Sequence, residues 1–160
     1  MASWSAAVDA ATDLAGSVRA RFDASGLGLL ATLRADGFPR ISGVEPLFEA
    51  DLWLGMMPGS RKAADLLRDP RLCLHSATAD KEVKEGDAKL TGRAVAVTDE
   101  AGIARFRSLF AAHAGMEPPP GPMHLFRVDV TEMSFLRPAG DHLVIEWWRE
   151  GQAVCRVDRY

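Results

Sequence analysis

Met57-Pro58-Gly59-Ser60-Arg61-Lys62-Ala63-Ala64-Asp65-Leu66-Leu67 is the stretch on which the reading of this chain turns. It follows an apolar run, Leu52-Trp53-Leu54-Gly55-Met56, which reads as a strand. Pro58-Gly59 punctuates its end, Ser60 has the side chain of a helix N-cap, and a helix follows. Arg61 and Lys62 then fall in the first helical turn, where the backbone dipole is positive and a cation is disfavoured by about 0.3–1 kcal/mol. A bound anion would reverse that field. Free backbone N–H groups, a serine hydroxyl and two cations together compose a phosphate cradle. Ser60 acting only as a cap, with both cations in solvent, fits the same residues, and the sequence leaves the two readings open.

Outward from this segment, the chain alternates short strands with a few helices. Upstream, Val8, Ala11, Leu14, Ala15, Val18 and Phe22 recur at helical spacing and predict one helix over about Ser5 to Ala24. Leu29 to Arg34 and Pro39 to Phe48 read as two strands joined by the turn Ala35-Asp36-Gly37-Phe38. Downstream, the helix should stop at Asp69-Pro70, and Arg71 to Thr78 should be a strand. Ala79 to Asp87 is polar and reads as an exposed loop. Ala88 to Val97 alternates as a long strand, with Gly92 marking a bulge. Thr98-Asp99-Glu100 opens a helix with the buried stripe Ile103, Phe106, Leu109 and Phe110. Glu117-Pro118-Pro119-Pro120-Gly121-Pro122 excludes helix and central strand. His124 to Leu136, His142 to Trp148 and a short piece near Val154 to Val157 complete the strands. Hairpin-linked strands with helices at the connections predict a mainly β protein, an antiparallel barrel with peripheral helices. No repeat or linker divides residues 1–160, so one domain is expected.

Composition narrows the function. The 160 residues carry a net charge of -3, which argues against an electrostatic nucleic-acid binder. No apolar run reaches the length of a membrane span and no basic, apolar leader opens the chain, so the expectation is a cytoplasmic protein. Cys73 and Cys155 lack metal-ligand spacing, and Cys73 reads as a reduced core thiol. None of His75, His113, His124 and His142 pairs at metal spacing; His75 reads as a hydrogen-bonded core residue. There is no nucleophile elbow, and Gly26-Leu27-Gly28 precedes a strand, so it is not a dinucleotide-binding loop.

The order Ala31-Thr32-Leu33-x-x-Asp36-Gly37-x-Pro39, then Gly59-Ser60-Arg61-Lys62-Ala63, then Asp69-Pro70-Arg71, then Gly92-Arg93-Ala94 resembles the pyridoxamine 5'-phosphate oxidase-like split-barrel flavoproteins. The resemblance covers about Leu27 to Val97. It implies a split barrel, a homodimer, and a flavin or deazaflavin held in a groove between the subunits. By the same resemblance Arg61, Lys62 and Ser60 hold the cofactor phosphate and Arg40, with Ser42 on the same strand, faces it. Gly55 and Met56 touch the ring and ribityl chain, and Asp87 lies near a flavin-contacting position.

Two positions depart from the oxidases, which tend to carry Lys where Glu45 stands and Gln near Asp87. Their Arg-rich C-terminal substrate motif is absent. The resemblance thus implies an FMN- or F-420-dependent oxidoreductase acting on a small organic molecule, and not a true pyridoxamine 5'-phosphate oxidase. The runner-up is a non-catalytic flavin- or haem-handling protein of the same fold. FMN and F-420 stay equally placed. An F-420 tail would call for further cations, for which Arg19, Arg21, Lys81, Lys84 and Lys89 are available. The ring would carry the redox chemistry, so no side chain is assigned as acid or base. Of the neighbours Trp147 and Trp148, strand alternation expects one buried and one at a surface.

Overall fold

The computed structural model describes residues 2–160. The amino-terminal apolar face is carried by two helices, α1 (Trp4–Ala10) and α2 (Thr12–Asp23), not by the single helix that its spacing predicts. Ala11 breaks the run at φ -149°, ψ 57°, and lies buried between them. Its N–H still reaches Ala7 and Val8, so the break leaves no donor unpaired. On both sides of the break the face still enters one core, with Trp4 and Ala7 from α1 and Leu14, Val18 and Phe22 from α2.

The strands follow in hairpin order: β1 (Gly28–Leu33), β2 (Pro39–Val44), β3 (Leu47–Phe48) and β4 (Leu52–Met56). Helix α3 (Arg61–Arg68) precedes β5 (Arg71–Ser76) and β6 (Asp87–Ala96); α4 (Glu100–Ala114) precedes β7 (His124–Ala139), β8 (His142–Arg149) and β9 (Cys155–Arg159). The expected strand over Pro39 to Phe48 is divided, because Pro46 has no N–H to give a ladder. All pairings are antiparallel, in the order β2-β1-β5-β6-β7-β4-β3, with β8 on β7 and β9 on β8. The fold is the antiparallel barrel with peripheral helices that the hairpin pattern predicts, in the split form that the resemblance implies. Among the described residues no helix is long and apolar enough to cross a membrane.

β7 is the spine. It pairs with β6 along most of its length, with β4 through its first five residues and with β8 through its last eight. The register slips at the centre, where Thr91 faces Glu132 but Gly92 faces Val130. The extra residue is thus Thr131 on β7, and its hydroxyl donates to the Thr91 carbonyl at 3.2 Å. Gly92 is the point of closest approach: a Cβ there would run into the Asp129 carbonyl and the Val128 side chain.

Two clusters fill the interior. The larger joins α1 and α2 to the inner faces of the strands. The smaller sits under α4, where Phe106 packs with Leu47, Trp53, Val97 and Leu125, and Ile103, Leu109 and Phe110 flank it. This is the stripe read from the sequence. Asp99 caps α4 by accepting from the Gly102 N–H at 2.8 Å, and Gly115 closes it at φ 69°. Trp148 is buried and Trp147 half-buried, as alternation requires.

Candidate functional site

The Met57–Ser60 corner forms a tight turn, with the Ser60 N–H donating to the Met57 carbonyl at 3.2 Å and Gly59 at φ 73°. Ser60 then caps α3, its hydroxyl accepting from the Ala63 N–H at 3.4 Å, and the Ala64 N–H takes the Ser60 carbonyl. The capping half of the sequence reading is therefore correct. It does not use up the helix end, because the N–H groups of Arg61 and Lys62 lie before the first intrahelical bond.

The cations of this turn have different settings. Lys62 reaches across to β2 and donates to the Gly43 carbonyl at 2.8 Å, a contact that leaves its charge without a carboxylate. Arg61 has no hydrogen-bond or ion-pair partner among the described residues and lies exposed on the wall of a cleft of about 320 Å³. Four arginines (34, 40, 61 and 68) and two aspartates (36 and 65) line that cleft, so positive charge is in excess.

Asp65 organises it. The carboxylate is 3% exposed and accepts from Arg40 Nε at 2.7 Å and from the Thr32 hydroxyl at 2.9 Å. Arg68 lies 3.5 Å away and also donates to the Leu33 carbonyl. Burial pushes the Asp65 carboxyl up, but the hydrogen bonds from Arg40 and Thr32 and the charges of Arg40 and Arg68 outweigh it and hold the group below the usual carboxylate range. Asp65 engages only the Nε of Arg40, which leaves the guanidinium's outer N–H groups available to the cleft.

A second cleft, of about 420 Å³, opens on the other side of the Met57–Ser60 corner. Gly55, Met56, Met57 and Pro58 form one wall, Phe106 and Phe110 of α4 another, and the proline-rich 118–122 segment closes it. Arg107 ties that segment to α4 by donating to the Pro119 carbonyl at 3.2 Å and to the Gly121 carbonyl at 2.9 Å. Gly55 is needed for packing, since a Cβ there would lie 2.9 Å from the Phe106 ring. Glu45 is the one charged residue on this cleft. The 40–45 and 55–61 stretches thus each run from one cleft to the other: Arg40 and Arg61 at the polar end, Glu45 and Met57 at the apolar end.

The structure brings Arg40 and Arg61 together on the first cleft and Gly55 and Met56 on the apolar one; Ser60 and Lys62 stand at the start of α3 and line neither, with Lys62 on the Gly43 carbonyl. Ser42 is half-buried on β2, opposite Leu30, and lines neither cleft. Asp87 also lies away from both. It accepts from the hydroxyls of Thr78 at 2.6 Å and Ser76 at 3.3 Å, and its other oxygen is 3.1 Å from His75 Nε2.

His75 is not the core residue that its strand suggests. It is part-exposed on the outward face of β5, with Nδ1 against the Ser76 carbonyl at 2.7 Å and Nε2 against Asp87. With both ring nitrogens engaged, it has none spare for a haem iron. Cys73 is likewise half-buried on that outward face, a free thiol outside the core. The suggested tail cations are dispersed, with Arg19 paired to Asp23 and Lys84 to Glu82. Sequence reasoning missed Asp65 and Thr32; the signal was a lone acid on a helix whose other charges are all positive. Among the described residues no group of histidine, cysteine and acidic side chains could hold a metal ion.

Comparison with known proteins places this geometry. The family profile described as pyridoxamine 5'-phosphate oxidase matches residues 14–137. None of the curated proteins matches. Several solved structures share the fold. ChuZ from Campylobacter jejuni superposes with a TM-score of 0.73 at 13% identity, over 91% of this chain and 63% of that one. PhzG from Burkholderia lata 383, solved with tetrahydrophenazine-1-carboxylic acid, gives 0.59 at 15% identity, over 92% and 90%. General Stress Protein 26 from Bacillus anthracis str. Sterne gives 0.61 at 16% identity, over 84% and 96%. At these identities the likeness is one of fold.

Proposed function

Since the chain belongs to the pyridoxamine 5'-phosphate oxidase family, we propose that it is an oxidoreductase that binds FMN or coenzyme F-420 and acts on a small organic molecule. One observation carries this reading: Arg61 and Lys62 stand at the positive end of α3 with no carboxylate partner among the described residues, beside the free edge of Arg40. A helix start that concentrates cations without neutralising them is suited to a phosphate or phosphodiester. The donor set fits such a group: two backbone N–H groups, a guanidinium free to fork, an ammonium and the outer face of a second guanidinium.

The residues have distinct tasks. Arg61, Lys62 and Arg40 bind the phosphate, while Ser60 fixes the first turn of α3 so that its N–H groups point outward. Asp65 holds Arg40 in place. Gly55 and Met56, at the end of β4, border the apolar cleft where a flat ring would be shielded from water. The cofactor ring supplies two-electron redox chemistry, and the chain orients it and excludes solvent.

A groove between two copies is part of the same proposal. Leu29 and Ile41 lie 40% and 72% exposed on the outward face of β1 and β2, with Phe38 at 67% in the hairpin turn, an apolar surface suited to a second subunit. Sedimentation velocity at micromolar concentration should show a dimer; a stable monomer would remove the intersubunit groove.

The cofactor is tested directly. Titration of the purified protein with FMN and with F-420 side by side, followed by fluorescence, should give a dissociation constant of about micromolar or tighter for one of them, the scale of three or four charge-assisted hydrogen bonds at about 1.5–3 kcal/mol each, before ring contacts and after the cost of association. Absence of binding by both would overturn the reading.

A further inference from the structure

The two clefts, one lined by Arg61 and the other by Met57 and Pro58, are opposite in charge. Every arginine of the pair lines the first, and the second holds a single ionisable group, Glu45. Glu45 is exposed and has no ion-pair partner among the described residues. The rest of the second cleft is thioether, aromatic ring and proline: Met56, Met57, Phe106, Phe110 and the 118–122 segment. Phe106 and Phe110 stand at 5.9 Å between ring centres and 47° between planes, so ring surface is presented from more than one direction.

We infer that this cleft selects a flat, apolar organic molecule carrying a protonated nitrogen, stacked beside the cofactor ring that Gly55 and Met56 border, with its own ring among Phe106, Phe110 and Met57 and the cation turned to Glu45. Three features act in the same direction. The carboxylate attracts a cation and repels an anion. Ring faces attract cations through their quadrupole. Methionine sulfur packs favourably against aromatic rings and adapts to their outline. No cation lines this cleft: Arg34, Arg40, Arg61 and Arg68 lie in the first, and Arg107 turns its guanidinium to the Pro119 and Gly121 carbonyls of the wall. The cleft is preformed: Arg107 pins the proline-rich wall to α4, and four prolines limit its movement. That this molecule is the redox substrate rests on the proposed function; the preference of the cleft for a cation does not.

Two probes with the same ring and the same methylene linker test it, 1-naphthylmethylammonium and 1-naphthylacetate, each titrated calorimetrically into the purified protein at one ionic strength. The expected result is about fivefold tighter binding of the ammonium, the scale of one exposed ion pair, and a ratio close to one in Glu45→Gln, whose melting temperature should match the parent. A ratio below threefold in the parent, or one that persists in Glu45→Gln, overturns the inference. The cofactor titration separates the two readings. Protein that takes neither FMN nor F-420 yet keeps a Glu45-dependent ratio supports the cation cleft and removes the redox function. Protein that binds a cofactor but shows no ratio overturns the cleft preference alone.

Discussion

Replacing Arg61 and Lys62 together by alanine should weaken binding of the phosphate-bearing cofactor at least tenfold while the protein still folds. The size follows from what is lost. Each charge-assisted hydrogen bond contributes about 1.5–3 kcal/mol, and two are removed. Arg40 and the backbone N–H groups of α3 remain, and water partly solvates the phosphate in place of the missing side chains, so the net loss falls short of the sum. The fold should survive because Arg61 contacts no partner among the described residues, and Lys62 contributes one exposed hydrogen bond to the Gly43 carbonyl. Alanine also raises helix propensity slightly and removes two cations from the positive end of the dipole. The double variant should therefore be as stable as the parent without cofactor, or slightly more so. Parallel fluorescence titrations and thermal melts of the two proteins check both halves. Unchanged affinity would mean that the cations face solvent and the phosphate, if bound at all, is held elsewhere. The salt dependence should fall with the affinity, since two fewer charges engage the ligand.

The parts of this site that were legible in the sequence are those set by local chemistry. A Pro-Gly turn, a serine cap and a helix following Met56 depend on φ preferences and on one side-chain-to-backbone bond, and they stand at Met57–Arg68 as read. The stripe of α4 and the cap at Asp99 were legible for the same reason. What the sequence concealed was decided by pairing in three dimensions. Ala11 has no breaker chemistry, yet the chain bends there, and the residues on both sides still enter one core. His75 belongs to an apolar strand, but Leu72 and Leu74 take its inward positions, so alternation places Cys73 and His75 on the outward face of β5. The bulge announced by Gly92 exists, although the inserted residue is Thr131 on the opposite strand, which no local signal marks. Asp87, near a cofactor position by resemblance, lines neither cleft and is held by the hydroxyls of Ser76 and Thr78, a pairing no local signal marks.

Asp65→Asn should be the most destabilising single change in the site, by about 2–3 kcal/mol at neutral pH. Removing one member of a buried ion pair costs about 3–5 kcal/mol because the survivor is left uncompensated. Here Arg40 and Arg68 retain 24% and 40% side-chain exposure, so water recovers part of that cost. For a chain of this length the melting temperature should drop by about 4–12 °C. The pH dependence identifies the cause. Because the folded-state carboxyl titrates below its unfolded value of 3.8, its contribution is complete above that pH and is lost as pH falls through the folded value. The stability gap between parent and Asp65→Asn should therefore be constant at neutral pH and narrow below about pH 4. Asp69 is also held low, to about 2, by its hydrogen bonds with Arg71, but it is present in both proteins and cancels in the difference. Denaturant unfolding of the two proteins between pH 3 and pH 7 measures the gap. A gap that stays constant into acid would mean that the loss comes from packing and not from charge. Asp65 borders the cleft but is almost fully buried and acts through Arg40, so the same variant should lower cofactor affinity less than the Arg61 and Lys62 pair does. An effect on affinity equal to theirs would show that the orientation of Arg40, more than the charge at the helix start, holds the phosphate.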